Sequence, residues 1–200
     1  IFTALMPQSR DALIQSMTVM GVSMGALIGV PPVLVEIYGT DVRKMYQAGG
    51  APLCFGLLSM LLSAFLHLLI MSGIMFAAAE ALFDAKVPEH LPGYFLTLAL
   101  FIGASLSLAA VLGLLVKSQA KLTMYGQLLF LPSIMLSGIM FPAQLLPDAL
   151  EKLGRLFPAT WGYQLLGGGE AELSGYALLL TVLAGAAGLC CLLLRRSRCT

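Results

Sequence analysis

Charge is what this chain has least of. Charged residues fill 10% of its 200 positions, and five long stretches hold none: residues 12–35, 45–79, 91–116, 122–147 and 173–194. With apolar residues at 59%, this scarcity excludes a disordered chain and argues against a soluble domain. Cysteine is also sparse. Cys54 and the pair Cys190–Cys191 lie in or beside apolar runs, Cys199 lies in the tail, and no spacing suggests zinc or a disulfide framework. They read as small apolar fillers. No H-E-x-x-H and no aspartate-rich metal cluster occurs, and no run carries Lys or Arg, which leaves voltage sensing and buried charge relays without support.

What is there is length. A membrane-spanning helix needs about 20 mostly apolar residues, because the hydrocarbon layer is about 30 Å thick and a helix rises about 1.5 Å per residue. The runs lack the short alternation of a membrane barrel. The expected fold is an all-α, polytopic membrane helical bundle with spans at 12–35, 52–79, 91–116, 122–141 and 173–194. Residues 1–7 read as the end of an earlier span that begins upstream of Ile1, since no basic segment precedes them as in a signal peptide.

Charge sidedness sets the expected orientation. The connections at 36–44 and 117–121, with the tail, hold seven basic and two acidic residues; those at 8–11, 80–90 and 148–172 hold four basic and eight acidic. Lys and Arg are retained in the cytoplasm, so the first group faces inward. With an earlier span, both ends of a six-span protein are cytoplasmic.

Two segments are not plain spans. In the loop at 36–50, Thr40 or Asp41 can cap a helix that Gly49-Gly50 ends. Val42, Met45 and Tyr46 share one face, with Arg43 and Lys44 elsewhere, which fits a short amphipathic helix along the cytoplasmic surface or an ordinary interfacial loop. The segment 142–170 is divided by Pro142, Pro147 and Pro158. Its helical piece carries Leu150, Leu153 and Leu156 on one side and the i,i+4 pairs Asp148–Lys152 and Glu151–Arg155. It is too short and charged to span. Trp161 and Tyr163 favour a membrane boundary, so this segment is expected at the outer face, dipping in and returning, with Gly167-Gly168-Gly169 as a hinge. Without a preceding strand, the triple glycine is no phosphate loop.

Gly21, Gly25 and Gly29 stand four apart on one face of the first complete span, where small residues allow close helix contact. Pro31-Pro32 should bend or loosen the cytoplasmic end of that span. Ser-Gly-Ile-Met-Phe occurs twice, at 72–76 and 137–141, as a duplication or by chance.

Catalytic patterns are weak. Gly21-Val-Ser-Met-Gly25 fits G-x-S-x-G, but that pattern carries meaning at a strand-to-helix turn, and here it lies in an apolar run. An intramembrane serine hydrolase would pair Ser23 with His67; the simpler reading makes His67 a bundle-facing polar residue bonded to a neighbouring helix. Gly113-Leu-Leu-Val-Lys-Ser118 lacks the Gly before Lys and ends a span, so it is no nucleotide loop. A channel or secondary transporter would need a pore-lining charge or inverted repeats, and the doubled motif is not inverted.

The run FLPSIMLSGIMFPAQLLP at 130–147, followed by Leu150, Leu153 and Phe157-Pro-Ala-Thr160, resembles the fifth-span signature of ABC-2-type transporter permeases: Ser-Gly, then Phe-Pro, Leu-Pro and an outer re-entrant hairpin ending near Pro-x-Thr. The loop with Glu36, Gly39, Thr40 and 41–48 is similar to the family's segment between spans two and three. The resemblance covers nearly the whole chain. It implies a permease subunit, not an enzyme, of an ATP-driven exporter in the bacterial cytoplasmic membrane. It implies a homo- or heterodimer of six-span halves, each docked on a separate cytoplasmic ATPase. This chain would bind no cofactor; ATP and Mg would belong to the partner. Glu36, Tyr38, Gly39, Thr40, Asp41, Val42, Arg43, Lys44, Met45 and Tyr46 would form the ATPase-coupling segment, and Pro142, Pro147, Leu150, Leu153, Pro158 and Trp161 the outer hairpin. The apolar spans fit an amphipathic, drug-like or lipid-like cargo.

Overall fold

The computed structural model describes residues 12–39, 53–83, 85, 87–88, 90–116, 118–140, 147–167 and 173–198. Among them only helices and turns occur. In chain order these are α1 (Leu13–Met24), a π turn (Gly25–Gly29), α2 (Val30–Gly39), α3 (Leu53–Phe83), α4 (Leu91–Leu115), α5 (Gln119–Leu136), α6 (Asp148–Gly154), α7 (Pro158–Leu166) and α8 (Leu173–Arg198).

Among the described residues, four helical stretches are long and apolar enough to cross a membrane: Leu13–Glu36, Phe55–Phe83, Leu91–Leu115 and Ser174–Leu193. That is one fewer than the five apolar runs suggest. The difference is α5, whose 18 residues reach about 27 Å and include Gln119, Lys121 and Gln127. Its end is set by Ser137-Gly138. Gly138 takes a φ of +93°, the left-handed conformation that stops a helix, and the Ser137 hydroxyl bonds back to the Ile134 carbonyl at 2.8 Å. The other copy of Ser-Gly-Ile-Met-Phe lies inside α3, which continues helical to Phe83. The two copies therefore adopt different backbones and are not a structural repeat.

The core is built around α4. Its neighbours are α8, α2, α7, α3, the π turn, α5 and α1, and Leu98, Phe101, Ile102, Ala104, Ala109 and Ala110 are fully buried. A helix so enclosed must satisfy its polar groups inside the bundle. Thr97 Oγ1 bonds the Gly93 carbonyl at 2.9 Å and shares a hydrogen bond with the Tyr176 hydroxyl of α8 at 2.9 Å. The Tyr94 hydroxyl meets Thr18 Oγ1 of α1 at 3.0 Å. Ser107 bonds the Ala104 carbonyl at 2.8 Å. Tyr94 also stacks with Phe95 and, across to α3, with Phe76 at a centroid distance of 5.5 Å. By contrast, α3 and α8 present broad apolar outer faces: Phe55, Leu58, Leu62, Ile70, Ile74 and Leu192 are all exposed, as lipid-facing spans require.

Small residues set the closest helix approaches. A methyl group on Gly21 would sit 2.8 Å from Met71 Cε, and one on Gly25 2.5 Å from Leu68 Cδ2, so these two seat α1 on α3. Gly29 does not continue the ridge. It is exposed and has nothing within 4 Å of a would-be methyl. The four-residue spacing assumes a regular α-helix, and the wider π turn swings Gly29 off the shared face. The helix also runs through Pro31-Pro32 to Gly39, so the disturbance lies ahead of the prolines and not in the end beyond them.

Candidate functional site: an inserted hairpin and a broken span

The chain between α5 and α8 builds a helical hairpin whose two arms differ. Pro147 stands at the start of α6 and its carbonyl accepts the amide hydrogens of Leu150 and Glu151 at 2.9 and 3.1 Å. Leu150, Leu153 and Leu156 are all exposed, so the apolar side of α6 faces away from the bundle. The Glu151–Arg155 pair closes at 2.7 Å on the surface, where such pairs contribute about 0.3–0.5 kcal/mol. The side chain of Asp148 lies outside the described residues.

The second arm, α7, goes inside. Pro158 occupies its first turn, where the missing N–H costs nothing. Pro158, Ala159, Thr160, Trp161, Gly162 and Leu166 are buried, and α7 packs against α4, α8, α1 and α5. Glycines make room for it: a methyl on Gly162 would sit 2.7 Å from the Phe101 ring, and one on Gly175 of α8 2.9 Å from the Trp161 ring. Gln15 of α1 touches Gly167. Two hydrogen bonds, one buried and one partly buried, tie the arms together. Thr160 Oγ1 donates to the Gly154 carbonyl at 2.6 Å, and Trp161 Nε1 donates to the Arg155 carbonyl at 2.7 Å. The hairpin is asymmetric, with α7 in the bundle and α6 on its rim. The sequence pattern drew attention to α6, and its leucines, but the buried arm is the one with Gly and Pro. The glycines at 154, 162 and 175 were the available signal.

The other feature is the break in the first complete span. α2 leads directly toward the residues expected to couple to an ATPase, and Glu36 is exposed near its end. Tyr38 and Gly39 are helical, with side chains outside the described residues; Thr40, Asp41, Val42, Arg43, Lys44, Met45 and Tyr46 lie outside altogether, as does Pro142. Gly113 of α4 receives Leu34 of α2, and a methyl there would sit 2.8 Å from Leu34 Cβ.

The Ser23–His67 pairing is not assembled. Ser23 is 2% exposed, facing the core. His67 is exposed on the outside of α3, one residue away from Leu68, which packs on Gly25. It is therefore not the bundle-facing residue expected of a polar group in a span. Cys190 is buried and Cys191 exposed, both free. Among the described residues, no group of three or more His, Cys, Asp or Glu side chains is placed to hold a metal.

Compared with known proteins, the family model described as ABC-2 type transporter matches residues 8–170. That match takes in α1 to α7 and the loop after α2. No curated protein and no solved structure gives a significant match.

Proposed function

The chain belongs to the ABC-2 type transporter family, and from that premise we propose that it is the permease half of an ATP-driven exporter. As a member it is a multi-pass membrane transport subunit. In our reading two such halves, identical or different, form the pathway, and a separate cytoplasmic ATPase binds ATP and Mg and drives them. The segment at 36–50 takes the ATPase stroke, and the hairpin of α6 and α7 closes the outer end. The basic connections at 36–44 and 117–121 face the cytoplasm of a bacterial cell.

One observation carries this reading: a single family match runs unbroken through the span, the loop and the hairpin. The physical arrangement supports it. The end of α2 is where a push from outside the membrane would enter, and the inserted arm α7 is where a pathway needs closing. The nearly all-apolar spans fit amphipathic, drug-like or lipid-like cargo. The test is co-purification and reconstitution of the full permease with the ATP-binding protein encoded beside it. ATP hydrolysis that rises on reconstitution and drives amphipathic dyes across proteoliposomes is the expected result. A permease that captures no ATP-binding protein, and moves the same dyes without ATP, would overturn it.

A further inference from the structure

The break in the span α1–α2 has a chemical origin that the sequence states outright. In an α-helix the Leu27 carbonyl accepts from the N–H of residue 31, and in a π-helix from residue 32. Both are proline and have no N–H. Neither geometry therefore supplies this carbonyl with its regular donor. The ring of Pro31 would also press on the Leu27 carbonyl, and that of Pro32 on the Ile28 carbonyl, if the helix stayed regular. The π turn at Gly25–Gly29 widens the helix just ahead of the clash, as such bulges do.

A carbonyl lacking its helical donor is strongly unfavourable in hydrocarbon, and the fold answers with Gly126. A methyl on Gly126 of α5 would sit 2.6 Å from the Leu27 carbonyl oxygen, so only glycine lets α5 come this close. Its Cα hydrogens are left to meet that oxygen, a weak contact. That is a seat, but a weak one.

The two halves of the span also hold different neighbours. α1 packs chiefly on α3, through Gly21 and Gly25; α2 packs chiefly on α4, through Leu34 and Gly113. The π turn between them touches α4 and α5. Gly29, on the open side, has nothing against it.

We propose that this span is a two-part lever hinged at the Leu27 carbonyl, with α1 fixed to α3 while α2 swings, and Gly126 the seat that holds the resting position. The hinge is a property of the span itself. It is read as a distance, so its failure is distinct from failure of the ATP-coupled reading, which is judged by hydrolysis and dye movement.

The test places spin labels at Met20 and Val33, both exposed and about 20 Å apart along the helix, in the full chain in lipid nanodiscs. Two resolved distance populations are expected. The double variant Pro31→Ala, Pro32→Ala restores both donors, and should collapse them to one, with Val33 turned by about 100° as the extra residue of the π turn is absorbed. Gly126→Ala, which unseats the carbonyl, should shift the ratio of populations at least threefold away from the resting one. A single narrow distance in the unsubstituted chain overturns the hinge, and so do two populations that survive the double variant. If the double variant fails to insert, Gly126→Ala decides alone: an unchanged distribution overturns the proposal.

Discussion

The Thr160 hydroxyl donates to the Gly154 carbonyl at 2.6 Å, from inside the bundle to the end of a helix on its rim. This bond spans six residues and fixes how far α7 enters relative to α6. Thr160→Val keeps the shape and removes this donor, leaving the Gly154 carbonyl the Phe157 amide at 3.0 Å. The expected loss is about 0.5–1.5 kcal/mol, read as a lower unfolding temperature of the purified protein together with faster amide exchange in α6 than in α4.

Gly162 meets the Phe101 ring with no space between them. Gly162→Ala should cost about 1–3 kcal/mol by overpacking. Phe101→Leu alone should also destabilise, by opening space at a fully buried site. Combined, the two should cost less than their sum, because each relieves the other. A double-mutant cycle on unfolding free energies reads the coupling; strictly additive values would mean that the contact is slack.

Charge reversal of Arg43 and Lys44 tests the loop after α2 as the ATPase contact. We expect the variant to reach the membrane in normal amount, and to lose ATPase association and transport together. Retention of both in pull-down and vesicle assays would remove this segment from the coupling role.

The sidedness is checked by single cysteines. In intact cells an impermeant maleimide should reach Gln144→Cys and Lys152→Cys, and should leave Lys44→Cys unlabelled until the cells are opened. Labelling of positions 44 and 152 from one side would refute the orientation.

His67 is exposed at mid-span and Ser23 is buried apart from it. Ser23→Ala should therefore leave transport within about twofold of the parent, and His67→Leu should leave stability within about ±0.5 kcal/mol, as for outward positions elsewhere. Abolition of activity by Ser23→Ala would revive the hydrolase reading.

The helices themselves were legible because hydrocarbon demands long uncharged runs, and the match to residues 8–170 agrees with the resemblance carried by 130–147. What each helix faces was not. Lipid is as apolar as the bundle interior, so the pattern of α3 cannot show that Leu68 points in and His67 out. Gly29 was misplaced for another reason: a spacing of four places residues on one face only while the helix stays regular, and the π turn breaks that premise. The buried arm of the hairpin was hidden because α6 carries the visible amphipathic pattern, whereas α7 is marked only by the small residues it needs for entry.

The enclosure of α4 has a consequence for biogenesis. Thr97 finds its partner in Tyr176, 79 residues later in the chain. At translation speeds of about 5–20 residues per second, that gap lasts about 4–16 s. During this interval the half-made protein stands in the bilayer with one flank of its central helix uncovered. A chain stopped before α8 never gains that cover, and membrane quality control has a defined surface by which to recognise the unfinished product.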